Sequence, residues 1–145
     1  MDIKRIAIGT IVGSIAFYFV SYVIFDFAFA SYYAANVGTA TGALRTANIQ
    51  WVFWIGNVAA ALMIMLAFEL KGGVISIANG FVIGAIIGLL VWLQADSYYY
   101  GATNIWNYKI LIVDPLLSAI DTAIGGGIIA AVLARVPSQA RFASA

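Results

Sequence analysis

Histidine and cysteine are both missing from the 145-residue chain. Their absence removes disulfides, thiolate nucleophiles, the usual zinc sites, histidine-ligated haem and a histidine general base. Charge is nearly as scarce. Only 9% of residues are charged, where soluble domains carry about 25%. The net charge of +1 offers no basic face, so nucleic acid is not an expected partner. No phosphate-cradling glycine loop, nucleophile elbow or metal-binding motif occurs. The chain is therefore expected to be non-enzymatic, with no metal centre and no resident cofactor. Hard-cation binding through Asp, Asn and carbonyl oxygens survives these exclusions.

What the chain does have is apolar length. Hydrophobic residues make up 64% of it, and the mean hydropathy is +1.01. A bilayer core of about 30 Å needs roughly 20 apolar residues as a helix. Four runs meet that length, at about 6–29, 49–70, 74–95 and 109–135. They predict an all-α, four-helix transmembrane bundle in one domain covering 1–145. The connections at 31–48 and 96–108 are long and aromatic, whereas Glu69 to Gly73 reads as a tight turn. Lys4 and Arg5 ahead of an apolar run, with Ala28-Phe29-Ala30 after it, also resemble a signal peptide. The run exceeds the usual 7–15 residues, so it is read as a span.

Cations set the expected orientation. With the N-terminus in the cytoplasm, Lys4, Arg5, Lys71, Arg135 and Arg141 lie inside, and only Arg45 and Lys109 lie outside. That distribution fits the positive-inside rule, with both termini cytoplasmic, and a bacterial inner membrane is the expected location. The outer loops then hold Tyr32, Tyr33, Tyr98, Tyr99, Tyr100, Trp106 and Tyr108. An interfacial aromatic belt explains them more simply than a cage for a cationic ligand.

Two patterns run through the spans. Ser76, Gly80, Gly84 and Gly88 recur every four residues on the third, and Gly125 and Gly126 supply a second small surface on the fourth. Small residues at this spacing let helix backbones approach closely. The second pattern is polar. Asp114, Ser118, Asp121 and Gly125, spaced by four, three and four residues, share one face of the fourth span. No Lys or Arg falls in the interior of any predicted span; Lys109 and Arg135 stand at the ends of the fourth. Burial without a counter-cation favours the uncharged carboxyl. Asp121 is therefore expected to donate a hydrogen bond to Asn57, Ser14 or a backbone carbonyl. Asp114, next to Pro115, reads as a capping carboxylate at a helix start. Asp26, Asp114, Arg45 and Tyr100 are candidates for an outer vestibule.

Gly84 and Gly88, Trp92, Tyr100, Thr103-Asn104 and Val113-Asp114 carry a resemblance. Over the C-terminal half, the chain resembles small bacterial four-helix integral membrane proteins of unknown function. That resemblance implies four helices and no particular mechanism.

Two functions remain in view. The first is a non-catalytic subunit that packs through its glycine faces into a homo-oligomer or larger membrane complex, with lipids and other membrane subunits as partners. Lipid or a hydrophobic cofactor in the helix grooves is compatible with it. The second is a small proton- or cation-coupled transporter using Asp121, with the ionisable group at membrane depth as its basis.

Overall fold

A computed structural model describes residues 2–43, 45, 47–72 and 75–136. All regular structure among them is helical. Helix α1 covers Ile3–Ser21 and runs straight into a π-helical segment, Tyr22–Ala28; a short α2 follows at Ala30–Ala35. Helices α3 (Gln50–Lys71), α4 (Ile77–Ala102) and α5 (Tyr108–Leu133) complete the chain. Four stretches are long and apolar enough to cross a membrane: Ile3–Ala28, Gln50–Lys71, Ile77–Ala102 and Tyr108–Leu133.

The expected spans are therefore present with shifted ends. The largest shift is at α4, which continues to Ala102 and takes Asp96 out of the predicted loop at 96–108. Part of the loop at 31–48 is helical, as α2. Gly73 of the predicted tight turn, residue 74 at the predicted start of the third span, and Arg141 lie outside the described residues.

The long helices stand in the order α3, α1, α5, α4, each packed on the next, while α3 and α4 touch only marginally. Helix α5 is the central element and carries more of the buried positions than any other helix. The two long connections lie at one end, here called the loop end. At the opposite end, Phe17, Ala61, Ile64, Met65, Phe68, Ile75, Ile129, Ala130 and Leu133 form the apolar core.

The glycine stripe is used within the chain. A Cβ at Gly80 would stand 2.5 Å from the Gly126 carbonyl oxygen; one at Gly84 would overlap the Thr122 carbonyl, and one at Gly88 would meet the Ser118 and Thr122 atoms. Gly126 in turn faces the Gly80 carbonyl, and Gly125 leaves room for the ring of Phe17. Between apolar helices in lipid, such close packing takes the place of hydrophobic burial as the associating force. Ser76 does not belong to this contact. It is the exposed N-cap of α4, where its hydroxyl accepts from the Asn79 amide at 3.2 Å.

Arg5, expected to precede the first span, lies inside α1 and is buried. Its guanidinium donates to the Leu133 and Val136 carbonyls at 3.2 and 2.7 Å, and Nε stands 3.6 Å from Glu69 Oε1. Carbonyls at a helix C-terminus lack intrahelical donors and carry partial negative charge. Arg5 satisfies those of α5 while binding the end of α3, and so ties three helices together opposite the loop end.

A Gly84→Leu substitution should destabilise the protein by about 1–3 kcal/mol or more, because backbone carbonyl occupies the space it needs. Gly56 has nothing within 4 Å of a built Cβ, so Gly56→Ala should stay within about 0.5 kcal/mol of the parent. Thermal unfolding in micelles measures both, and equal stability for the two variants would contradict the packing described.

Candidate functional site

The polar face of α5 is preserved, and all three of its polar members are buried. Asp114, Ser118 and Asp121 are 8%, 1% and 7% exposed. What surrounds them differs from the sequence expectation at nearly every partner.

Asp114 does not cap a helix. Helix α5 starts at Tyr108 under Asn107, whose side chain accepts from the Lys109 amide at 2.9 Å. Asp114 lies almost two turns inside, and Pro115 occupies an interior position. A proline there has no N–H for the carbonyl four residues earlier, so the Leu111 carbonyl loses its helical donor. Two groups meet Asp114. The phenol of Tyr33 on α2 donates to its Oδ1. Asp96 of α4 lies near enough for its carboxyl to bear on that of Asp114.

The register of the glycine contact brings Asp96 there. Gly80 faces residues 126 and 130, Gly84 faces 122 and 123, and Gly88 faces 118 and 122. Each helical turn along α4 thus retreats about one turn along antiparallel α5. Two further turns carry the contact from Gly88 to Asp96 and from Thr122 to Asp114.

Tyr33 reaches the cluster because the two long connections are paired. The Gly38 and Ala40 amides donate to the Ile105 and Asn104 carbonyls at 2.7 and 2.9 Å. Val37 and Trp106 form an antiparallel bridge, and Asn107 Nδ2 donates to Asn36 Oδ1 at 3.1 Å. The Tyr33 ring then packs edge-on against Phe25 and Trp106, with centroids 5.9 and 6.3 Å away. Burial, followed by the hydrogen bond and charge of Asp114, pushes the Tyr33 phenol well above its ordinary value.

Asp121 has a different partner from those expected. Ser21, the last residue of α1, donates to Asp121 Oδ2 at 2.6 Å. Ser14 instead donates to the Thr10 carbonyl at 2.5 Å. Asn57 makes no hydrogen bond among the described residues and is only half-buried. The π-helical segment begins at the residue after Ser21, and such wide turns are frequent at functional sites.

Three buried oxygens on this face have no hydrogen-bond partner: Asp96 Oδ2, Ser118 Oγ and Asp121 Oδ1. Ser118 lies beside Asp114 but outside hydrogen-bond geometry with it. The predicted vestibule does not assemble. Asp26, Arg45 and Tyr100 are exposed, and no hydrogen bond or ion pair among the described residues joins them to Asp114. Sequence reasoning set Asp96 and Tyr33 in the outer loops and did not join them, Ser21 or Arg5 to the buried contacts they make. Asp96 carried a usable signal for its place, since it continues the four-residue spacing of Gly80, Gly84 and Gly88.

No group of three or more His, Cys, Asp or Glu suited to a metal occurs among the described residues. Comparison with known proteins returns no matching family model, no matching curated protein and no matching solved structure.

Tyr33→Phe removes the donor to a buried carboxyl oxygen and should cost about 1–3 kcal/mol near neutral pH. Because the folded phenol holds its proton more tightly than an unfolded one, its contribution is full below about pH 10 and is lost as pH rises beyond it. The parent should therefore lose stability faster than Tyr33→Phe between about pH 9 and 11. Denaturation curves across that range test this, and parallel alkaline losses would contradict it.

Proposed function

We propose that this chain is a non-catalytic integral membrane protein that moves a proton or small cation along the polar face of α5, with Asp121 as the coupling group. One observation carries the reading. Asp114, Ser118 and Asp121 are buried in line on one helix, and no Lys or Arg compensates them. Of the described cations, Arg5 is engaged at the opposite end, and Lys4, Arg45, Lys71, Lys109 and Arg135 are exposed. Ionisable side chains at membrane depth are costly and characteristically mark ion pathways. Asp121 keeps one oxygen free and takes its donor from the junction of α1 with the π-helical segment.

The distribution of Lys4, Arg5, Lys71, Arg135 and Arg141 against Arg45 and Lys109 supports cytoplasmic termini and a loop end facing outward. In a bacterium that membrane is the inner one. The pathway then opens toward the outside, and the ring of Phe17 against Gly125 closes it inward.

A second reading, a subunit of a homo-oligomer or larger complex, rests on α3. The glycine faces that first motivated it are occupied within the chain. The first two turns of α3, Gln50 to Gly56, are instead exposed throughout, which leaves them free for lipid or another subunit. Native mass measurement in detergent separates these, since a monomer under mild conditions would remove the homo-oligomer.

The transport reading is tested in proteoliposomes loaded with a pH-sensitive dye and held under an imposed potential. The parent should move protons, or protons against a cation, and Asp121→Asn should reduce the rate by about tenfold or more, within the range of a lost proton-transfer group. Parent-like flux in Asp121→Asn, or no flux in the parent, would sink it.

A further inference from the structure

Helix α1 carries a polar line of its own. Successive helical residues turn by about 100°, so Thr10, Ser14, Phe17 and Ser21 fall within an arc of about 60°. Their spacing of four, three and four residues repeats that of Asp114, Ser118, Asp121 and Gly125 on antiparallel α5. Two contacts fix which way the arc faces. Ser21 donates to Asp121 Oδ2 at 2.6 Å, and one turn inward a Cβ at Gly125 would overlap the ring of Phe17. Ser14 and Thr10 therefore continue toward the opposite end on the side of α1 that meets α5. Gly13, next to Ser14, agrees with this, since a Cβ there would stand 2.6 Å from Ile129 Cδ1 of α5. Ser14 is 4% exposed, and its hydroxyl donates to the Thr10 carbonyl at 2.5 Å. Thr10 Oγ1 is buried and has no hydrogen-bond partner. Valine would fill that space without leaving a hydroxyl unpaired.

The polar line is broken once, at Phe17. Its side chain is 1% exposed, and its ring lies in a notch that stays open only because residue 125 is glycine. Outward of the ring stand Ser21 and the unpartnered Oδ1 of Asp121; inward stand Ser14 and Thr10. Hydrophobic constrictions of this kind gate membrane pores by excluding water. We propose that Phe17 is a gate between two polar half-paths, an outer one ending at Asp121 and Ser21 and an inner one formed by Ser14 and Thr10. The inference rests on the reading of α5 as an ion-handling face and adds its inward exit. With the ring in the notch, Asp121 exchanges protons with the loop side alone. With the ring withdrawn, water joins Asp121 to Ser14, and a proton passes between oxygens as one O–H bond breaks and another forms.

The chain contains no cysteine, so a single introduced thiol reports on one position. The test places Ser14→Cys in the full chain, in membrane vesicles of both orientations, each exposing one end of the molecule. Ag+ is the probe, a small cation that reacts with a thiol it can reach through water. Added at the loop end, it should react slowly behind the parent Phe17. Phe17→Leu keeps an apolar side chain without the ring, and Gly125→Ala drives the ring from its notch from the other helix. Each should raise loop-end labelling of Ser14→Cys several-fold and leave labelling from the opposite end nearly unchanged. A residue that only fills the core would shift both ends alike. Downhill proton flux, measured without the cysteine, should also rise several-fold in Phe17→Leu. Thr10→Val, close in shape, should lower parent flux several-fold without lowering the unfolding temperature. Loop-end labelling as fast in the parent as in Phe17→Leu, or no labelling from either end in any variant, would overturn the proposal. Ring-dependent labelling without parent flux would leave the gate standing and remove transport; parent flux with labelling indifferent to the ring would do the reverse.

Discussion

The close approach of α4 and α5 is the constraint on which the rest of the structure depends. Backbone meets backbone at Gly80, Gly84 and Gly88, and interdigitation this tight admits one axial register. That register decides what α4 presents beyond its last stripe glycine. Two turns past Gly88 it presents Asp96, opposite a residue that already carries a carboxyl. In lipid the apolar faces of helices gain little by turning toward one another, so packing detail carries the specificity. Here the detail is the absence of three side chains. Its chemical consequence is a pair of acids from two helices, held where water is scarce.

The molecule is divided along its length. Toward the loop end, α5 carries Asp114, Ser118 and Asp121; beyond Gly125 its buried residues are apolar or glycine. Phe17 marks the change, filling the space above Gly125 and joining the apolar core below. Arg5 secures that lower half, because its hydrogen bonds and its ion pair belong to three different helix ends. Among the described residues no ion pair ties the helices at the loop end. There α3 is exposed, the first span loosens into π-helix, and the polar groups are held by paired loops. Rearrangement costs least where backbone hydrogen bonds are exposed and buried contacts are few. The buried carboxyls of α5 therefore lie toward the end where α3 is exposed, and the Arg5–Glu69 pair secures the other.

Much of this was legible in the sequence. The four spans follow from apolar length, and the face shared by Asp114, Ser118 and Asp121 follows from spacings of four and three residues. The glycine stripe was legible as a contact but not as an internal one, because small-residue periodicity is the same whether the partner helix is in the chain or outside it. Asp96 was lost to a count. An average span length ends the third run at residue 95 and assigns the next residue to a loop, yet the glycine spacing runs on through it. Pro115 misled in the opposite direction, since proline is favoured in a first turn and Asp114 beside it reads as a cap; Asn107 holds that role seven residues earlier. Tyr33 had no signal at all. It is one tyrosine among several suited to a membrane interface, and only the pairing of two loops distant in sequence selects it.

Packing alone is a poor explanation for the carboxyls on α5. An interhelical hydrogen bond in a membrane contributes about 0.6–2 kcal/mol, and an asparagine amide supplies both donor and acceptor for it without the charge. Structural glue would also use its oxygens, whereas Asp96, Ser118 and Asp121 each leave one buried oxygen unpartnered, and an unpartnered buried polar group costs about 1–3 kcal/mol. Three such costs, two on α5 and one on the facing α4, weigh against what the hydrogen bonds at Tyr33 and Ser21 return. Buried oxygens left free, with no cation beside them, are what the proposed ion-handling role asks for.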